Sequence, residues 1–164
     1  MNDDQPISPA KAYYLSGFGH CNVVHVTFLA LERGGAPRND STWIALQNVI
    51  GVALETSLKA FLAASGIAES ELSSRRYGHN LRNLLDSCIE CGIEAEAQHE
   101  RQPELLDALD RLATLIGPDY HSHNFRYLNR AKANYVNQRL AVETTIMAIR
   151  CVLLIAKRRG GFVA

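Results

Sequence analysis

Residues Thr42 to Ser65 read TWIALQNVIGVALETSLKAFLAAS, and this stretch decides the fold. Trp43, Ile50, Leu54, Leu58 and Phe61 recur at three-, four- or seven-residue spacing, the period that gathers side chains on one side of an α-helix. That side is expected to be core. Asp40 or Ser41 offers an oxygen to the free amides of the first turn, and Gly66 follows the last apolar position, where a left-handed residue stops a helix. At about 100° per residue, Asn48, Glu55 and Lys59 fall in a narrow arc away from the apolar stripe. Glu55 precedes Lys59 by four residues, the favourable order for a helical ion pair. By charge alone this seam is expected to be a solvated face, with a polar cleft as the alternative.

Working outward, Glu69 to Gly78 (ESELSSRRYG) has no apolar period and ends in glycine, so it reads as a connection. His79 or Asn80 then caps a second helix whose face is Leu81, Leu84, Leu85 and Cys88, and Gly92 ends it. The pair forms a helical hairpin.

At these residues the sequence resembles the HEPN superfamily, helical bundles of bacteria and archaea associated with nucleotide and RNA chemistry. The residues that carry the resemblance are Leu54-Glu55, Leu58-Lys59-Ala60 and Gly66 on the long helix, Gly78-His79, Leu81 and Leu84-Leu85 after the loop, and Arg126-Tyr127 later. It covers about half of the chain directly. The five helices that the periodicity predicts, with no convincing strand, make an all-α, up-and-down four-helix bundle with one additional shorter helix, and the resemblance implies the same HEPN-like architecture. It also implies a link to nucleotidyltransferase-like partner proteins in toxin and antitoxin pairs. One departure bears on activity: HEPN ribonucleases share an Arg-x4–6-His motif, and no Arg of this chain stands at that distance before a His. Arg75 and Arg76 precede His79 by too little, and His121 comes before Arg126 in the reverse order. Metal-independent RNA cleavage is therefore the alternative, requiring a rearranged Arg/His site, and a binding or regulatory component is the main expectation.

A chain of 164 residues with 47% hydrophobic and 21% charged content fits one globular domain, here 1–164 with residues 1 to 7 flexible. The opening MNDDQPISP is polar and acidic, and Arg150 interrupts the final apolar run, so no signal peptide or membrane span is expected. A cytoplasmic location and four reduced cysteines follow. The net charge of zero hides a division: residues 1 to 119 carry 9 Lys and Arg against 16 Asp and Glu, and residues 120 to 164 carry 8 against 1. The basic part can follow RNA phosphates, or it can neutralise the acidic part of the same chain or of a second copy; self-neutralisation is the expectation.

Elsewhere, Ser8 and Pro9 start a first helix that runs to about Glu32, with Gly17 and Gly19 marking a kink or a close helix contact. GGAPRN (34–39) turns the chain back. IEAEAQHER after Gly92 reads as a loop. A helix begins at Pro103, carries the stripe Leu105, Leu109, Leu112 and Ile116, and is expected to end at Gly117-Pro118. Asp119 to Asn129 reads as an ordered loop, and the last helix spans about Lys132 to Arg158 with Leu140, Met147 and Leu154 at seven-residue spacing and Ala141, Val142, Ile146 and Leu153 widening the stripe. Broad stripes on two helices point to a homodimer without selecting a face.

Two chemistries can be built from these residues. Cys21 and His25 at i,i+4 together with Cys88 and Cys91 at i,i+3 have the composition of a Cys3His zinc site, although free buried cysteine is the simpler reading, and no cofactor is expected. Glu55, Lys59, His79, Arg126 and Tyr127 form the candidate binding set, and His121 and His123 join Glu55, Lys59, His79 and Arg126 as the lining of a polar cleft. His79, Arg126 and His121 are the candidate catalytic residues, with Arg126 suited to a phosphate and His79 to proton transfer.

Overall fold

The computed structural model describes residues 6–34, 41–123 and 138–162, and all regular structure among them is helical. Seven helices follow in order: α1 (Pro9–Gly34), α2 (Ser41–Ala64), α3 (Glu69–Leu72), α4 (Leu81–Glu90), α5 (Ile93–His99), α6 (Leu105–His121) and α7 (Gln138–Gly160). Ser8 accepts the Lys11 amide through Oγ at 3.3 Å, which caps α1 where Ser8-Pro9 predicts. Asn80, rather than His79, caps α4 by accepting the Asn83 amide at 3.1 Å.

Helix α2 is the axis of the molecule and touches α1, α4, α6 and α7. Trp43, Ile50, Leu54, Leu58 and Phe61 are all buried, as their spacing predicts. Helices α1 and α2 are antiparallel, since Phe28 meets Trp43 at one end and Gly17 faces Ser57 nearer the other. Helix α7 is antiparallel to α1, with Tyr14 against Phe162 and Gly17 against Leu153. A Cβ at Gly17 would stand 3.0 Å from Ser57 Oγ and 3.1 Å from Leu153 Cδ2, so this glycine lets three helices meet closely. Helix α6 runs against α4, where Leu81 faces Gly117 and Arg82 bonds Asp110. The long helices α1, α2, α6 and α7 form an up-and-down bundle and α4 is the added shorter helix, the architecture expected from the sequence.

Four local expectations are corrected. The connection after Gly66 contains the single turn α3, whose Leu72 is fully buried. The segment after Gly92 is α5 rather than a loop: Gly92 takes φ 87°, and only Ile93 and Ala97, four apart, face the core, too few for a visible period. Helix α6 continues through Gly117-Pro118 to His121, losing one backbone hydrogen bond at Pro118 while burying Ile116 and Tyr120. On α7, Val142, Ile146 and Leu153 face the core as the stripe predicts, with Ile149 beside them, whereas Met147 and Leu154 are 64% and 54% exposed. The Leu140 side chain, the turn at 35–39 and the start of the last helix before Gln138 lie outside the described residues.

Candidate polar site at Glu55 and His79

The seam on α2 is not a solvated face. Glu55 and Lys59 are 8% and 7% exposed, because α4, α6 and the turn before α4 close over them. A buried charge requires an opposite charge and satisfied lone pairs, and both are supplied. Lys59 Nζ donates to Glu55 Oε1 at 2.8 Å and also lies 5.9 Å from the centre of the Tyr13 ring. Tyr120 Oη donates to Glu55 Oε2 at 2.6 Å, and His79 Nδ1 stands 2.9 Å from the same oxygen. Since a carboxylate only accepts, Nδ1 carries the proton.

Three elements position this cluster. Glu55 and Lys59 come from one face of α2. Tyr120 comes from the turn of α6 beyond Pro118, with its ring lying on the α2 backbone at Gly51; a Cβ there would be 2.3 Å from the ring, so no other residue fits. His79 comes from the turn before α4, at φ 54°, a left-handed conformation uncommon outside glycine. His123, at φ 59°, follows α6 and stacks its ring edge to face with His79, centres 5.1 Å apart. Two non-glycine residues in left-handed backbone on adjoining turns place both imidazoles at one end of the bundle.

Burial alone pushes the Glu55 carboxyl up, but the hydrogen bonds from Lys59 and Tyr120, the Lys59 charge and the His79 bond outweigh it and hold the group below its ordinary range. Glu55 is therefore an ionised, fully occupied anchor. The chemistry left open is that of His79. Its side chain is 36% exposed, with Nδ1 turned to Glu55 and the Tyr120 hydroxyl, and Nε2 engaged by neither.

Of the residues singled out from sequence, Glu55, Lys59 and His79 are brought together. His121 ends α6 exposed and away from this bond network, while Arg126 and Tyr127 lie outside the described residues. Cys21 and His25 sit on α1, with His25 Nδ1 3.5 Å from an Arg150 nitrogen of α7. Cys88 is buried and donates to the Leu58 carbonyl at 3.7 Å, and burial, then the neighbouring Cys91, pushes its thiol well up. No group of three His, Cys, Asp or Glu able to hold a metal occurs among the described residues. His123, also singled out from sequence, joins His79 through its ring, whereas Tyr120 was not legible as a partner of Glu55, because a Gly-Pro pair normally ends a helix. The signal was nonetheless present: Tyr120 stands four beyond Ile116 and eight beyond Leu112, on the same stripe. No protein-family model, curated protein or solved structure matches the chain.

Proposed function

We propose that the protein is a HEPN-like, non-catalytic binding or regulatory component of a nucleotide- or RNA-related system of the toxin-antitoxin or defence type. The observation that supports this reading is the meeting of Glu55 and His79, two polar residues of the HEPN-like pattern, 24 positions apart and joined by a 2.9 Å hydrogen bond. Within the cluster Lys59 and Tyr120 donate to Glu55, and the half-exposed His79 ring is the part that a ligand could reach. An imidazole held in this way can recognise a ligand hydroxyl or amine. The partners this reading implies are RNA or a nucleotide and a nucleotidyltransferase-like protein.

The same dyad favours one second reading, a metal-independent RNA endonuclease or nucleotide-acting enzyme. A carboxylate-anchored imidazole is the arrangement of a general base, and Arg126 is the residue that would clamp a phosphate. Mixed RNA incubated in EDTA with the wild type, His79→Ala and Arg126→Ala separates the two. Intact RNA, with saturable binding of RNA or mononucleotides that weakens about tenfold in His79→Ala, is the expected result. Fragments that disappear in either variant establish the enzyme instead.

A further inference from the structure

The outer face of α1 is anomalous for a surface helix. No Asp, Glu, Lys or Arg occurs from Ala12 to Leu31, although only one side of this span faces the core. Charge returns at Lys11 on one side and at Glu32 and Arg33 on the other. Within the span, Leu15, Phe18, Val26 and Leu29 are between 37% and 68% exposed, and with exposed Asn22 they occupy one narrow arc of the helix. Helix α7 lies alongside, in contact through Arg150 and His25, and exposes the apolar Met147 and Leu154 as well.

The order of residues identifies the occupant. Counted from Asn22, Phe18 and Val26 lie four positions to either side, and Leu15 and Leu29 lie seven to either side. A helix with this symmetry is its own complement when a copy is laid on it antiparallel: Leu15 meets Leu29, Phe18 meets Val26, and Asn22 meets Asn22 on the axis. That is the requirement of an isologous two-fold interface, in which one patch serves both subunits. The area also suffices. The exposed apolar side chains of this arc, with Met147 and Leu154 of α7, present on the order of 600 Å², the upper end of what a monomer ordinarily leaves open and close to the share each partner gives to a standard interface. The geometry points to a homodimer formed by the α1 and α7 faces of two copies, with α1 packed antiparallel on α1 about a two-fold axis at Asn22.

Sedimentation equilibrium of the full chain, with helicity checked by circular dichroism, tests this. The wild type is expected to be a dimer at micromolar concentration. Val26→Asp, which symmetry introduces twice, is expected to weaken it about 100-fold or more while keeping the helix content. Asn22→Asp and Asn22→Lys are each expected to be monomeric, and an equimolar mixture of the two to form dimers, because only a residue that meets itself gives like charges alone and opposite charges when mixed. A monomeric wild type overturns the inference and leaves this face to a different protein. A dimer untouched by Val26→Asp overturns the face, and failure of the mixture to dimerise overturns the axis.

Discussion

Removing the Tyr120 hydroxyl deprives Glu55 Oε2 of its shortest hydrogen bond, 2.6 Å, in a place where water does not replace it. Hydrogen bonds to charged groups contribute about 1.5–3 kcal/mol, so Tyr120→Phe should lower stability by about that amount in urea unfolding. Glu55→Gln is more severe, because it leaves Lys59 buried opposite a neutral group, and a loss of about 3 kcal/mol is expected. The pH dependence has a definite sign. With the Glu55 carboxyl below its ordinary 4.5 in the fold, the unfolded chain binds the extra proton first as pH falls. The Glu55 contribution is therefore complete above about pH 4.5 and is lost as pH drops through the folded value. Glu55→Gln should remove that part of the acid limb in stability measured against pH. An acid limb of unchanged slope in the variant would place the titration elsewhere.

At the scale of elements, α6 shows tertiary packing overriding local preference. A proline inside a helix costs about 3 kcal/mol, yet α6 passes Pro118 because stopping there would expose Ile116 and Tyr120 and release the Glu55 bond. Pro118 itself is exposed and close to the helix end. Pro118→Ala should therefore stabilise the protein by about 1–3 kcal/mol, read as a raised urea midpoint. Gly51→Ala should do the opposite. The added methyl meets the Tyr120 ring at 2.3 Å, and α2 cannot shift without disturbing the helices packed around it, so a loss of about 3 kcal/mol is expected, together with displacement of Tyr120 from Glu55. If the ring simply turned aside, the variant would lose little more than Tyr120→Phe does.

Across the whole molecule, the charge division seen in the sequence is partly settled by contact. Arg158 at the end of α7 pairs with both Glu96 and Glu100, and Arg159 reaches Glu96 at 3.3 Å while lying over the Phe61 ring. At this end the basic segment neutralises the acidic one of the same chain, as expected; Arg126, Arg130 and Lys132 lie outside the described residues. These pairs are partly exposed, so Arg158→Ala should cost no more than about 1 kcal/mol, and the difference should shrink as salt is raised.

What the sequence determined by itself was periodic. Trp43 to Phe61 repeats over five turns, Leu81 to Cys88 over two, and Ser8, Asn80 and Gly92 stand where caps belong, because each of these signals depends only on neighbours within a few positions. Helix α5 escaped because two buried residues make no period, and the end of α6 because its stabilising partner, Glu55, is 65 residues away. The same distance explains the site. Glu55 before Lys59 was legible as an ion pair, and the resemblance placed His79 beside them in prospect, but a charged seam on an isolated helix is indistinguishable from a solvated one. Only the packing of α4 and α6 over α2 removed the water, and with it turned a surface pair into a buried cluster with Tyr120 and His79. The exposed side of α7 followed the same rule: sequence showed that the helix was apolar on several faces, and only its neighbours decided which of them became core.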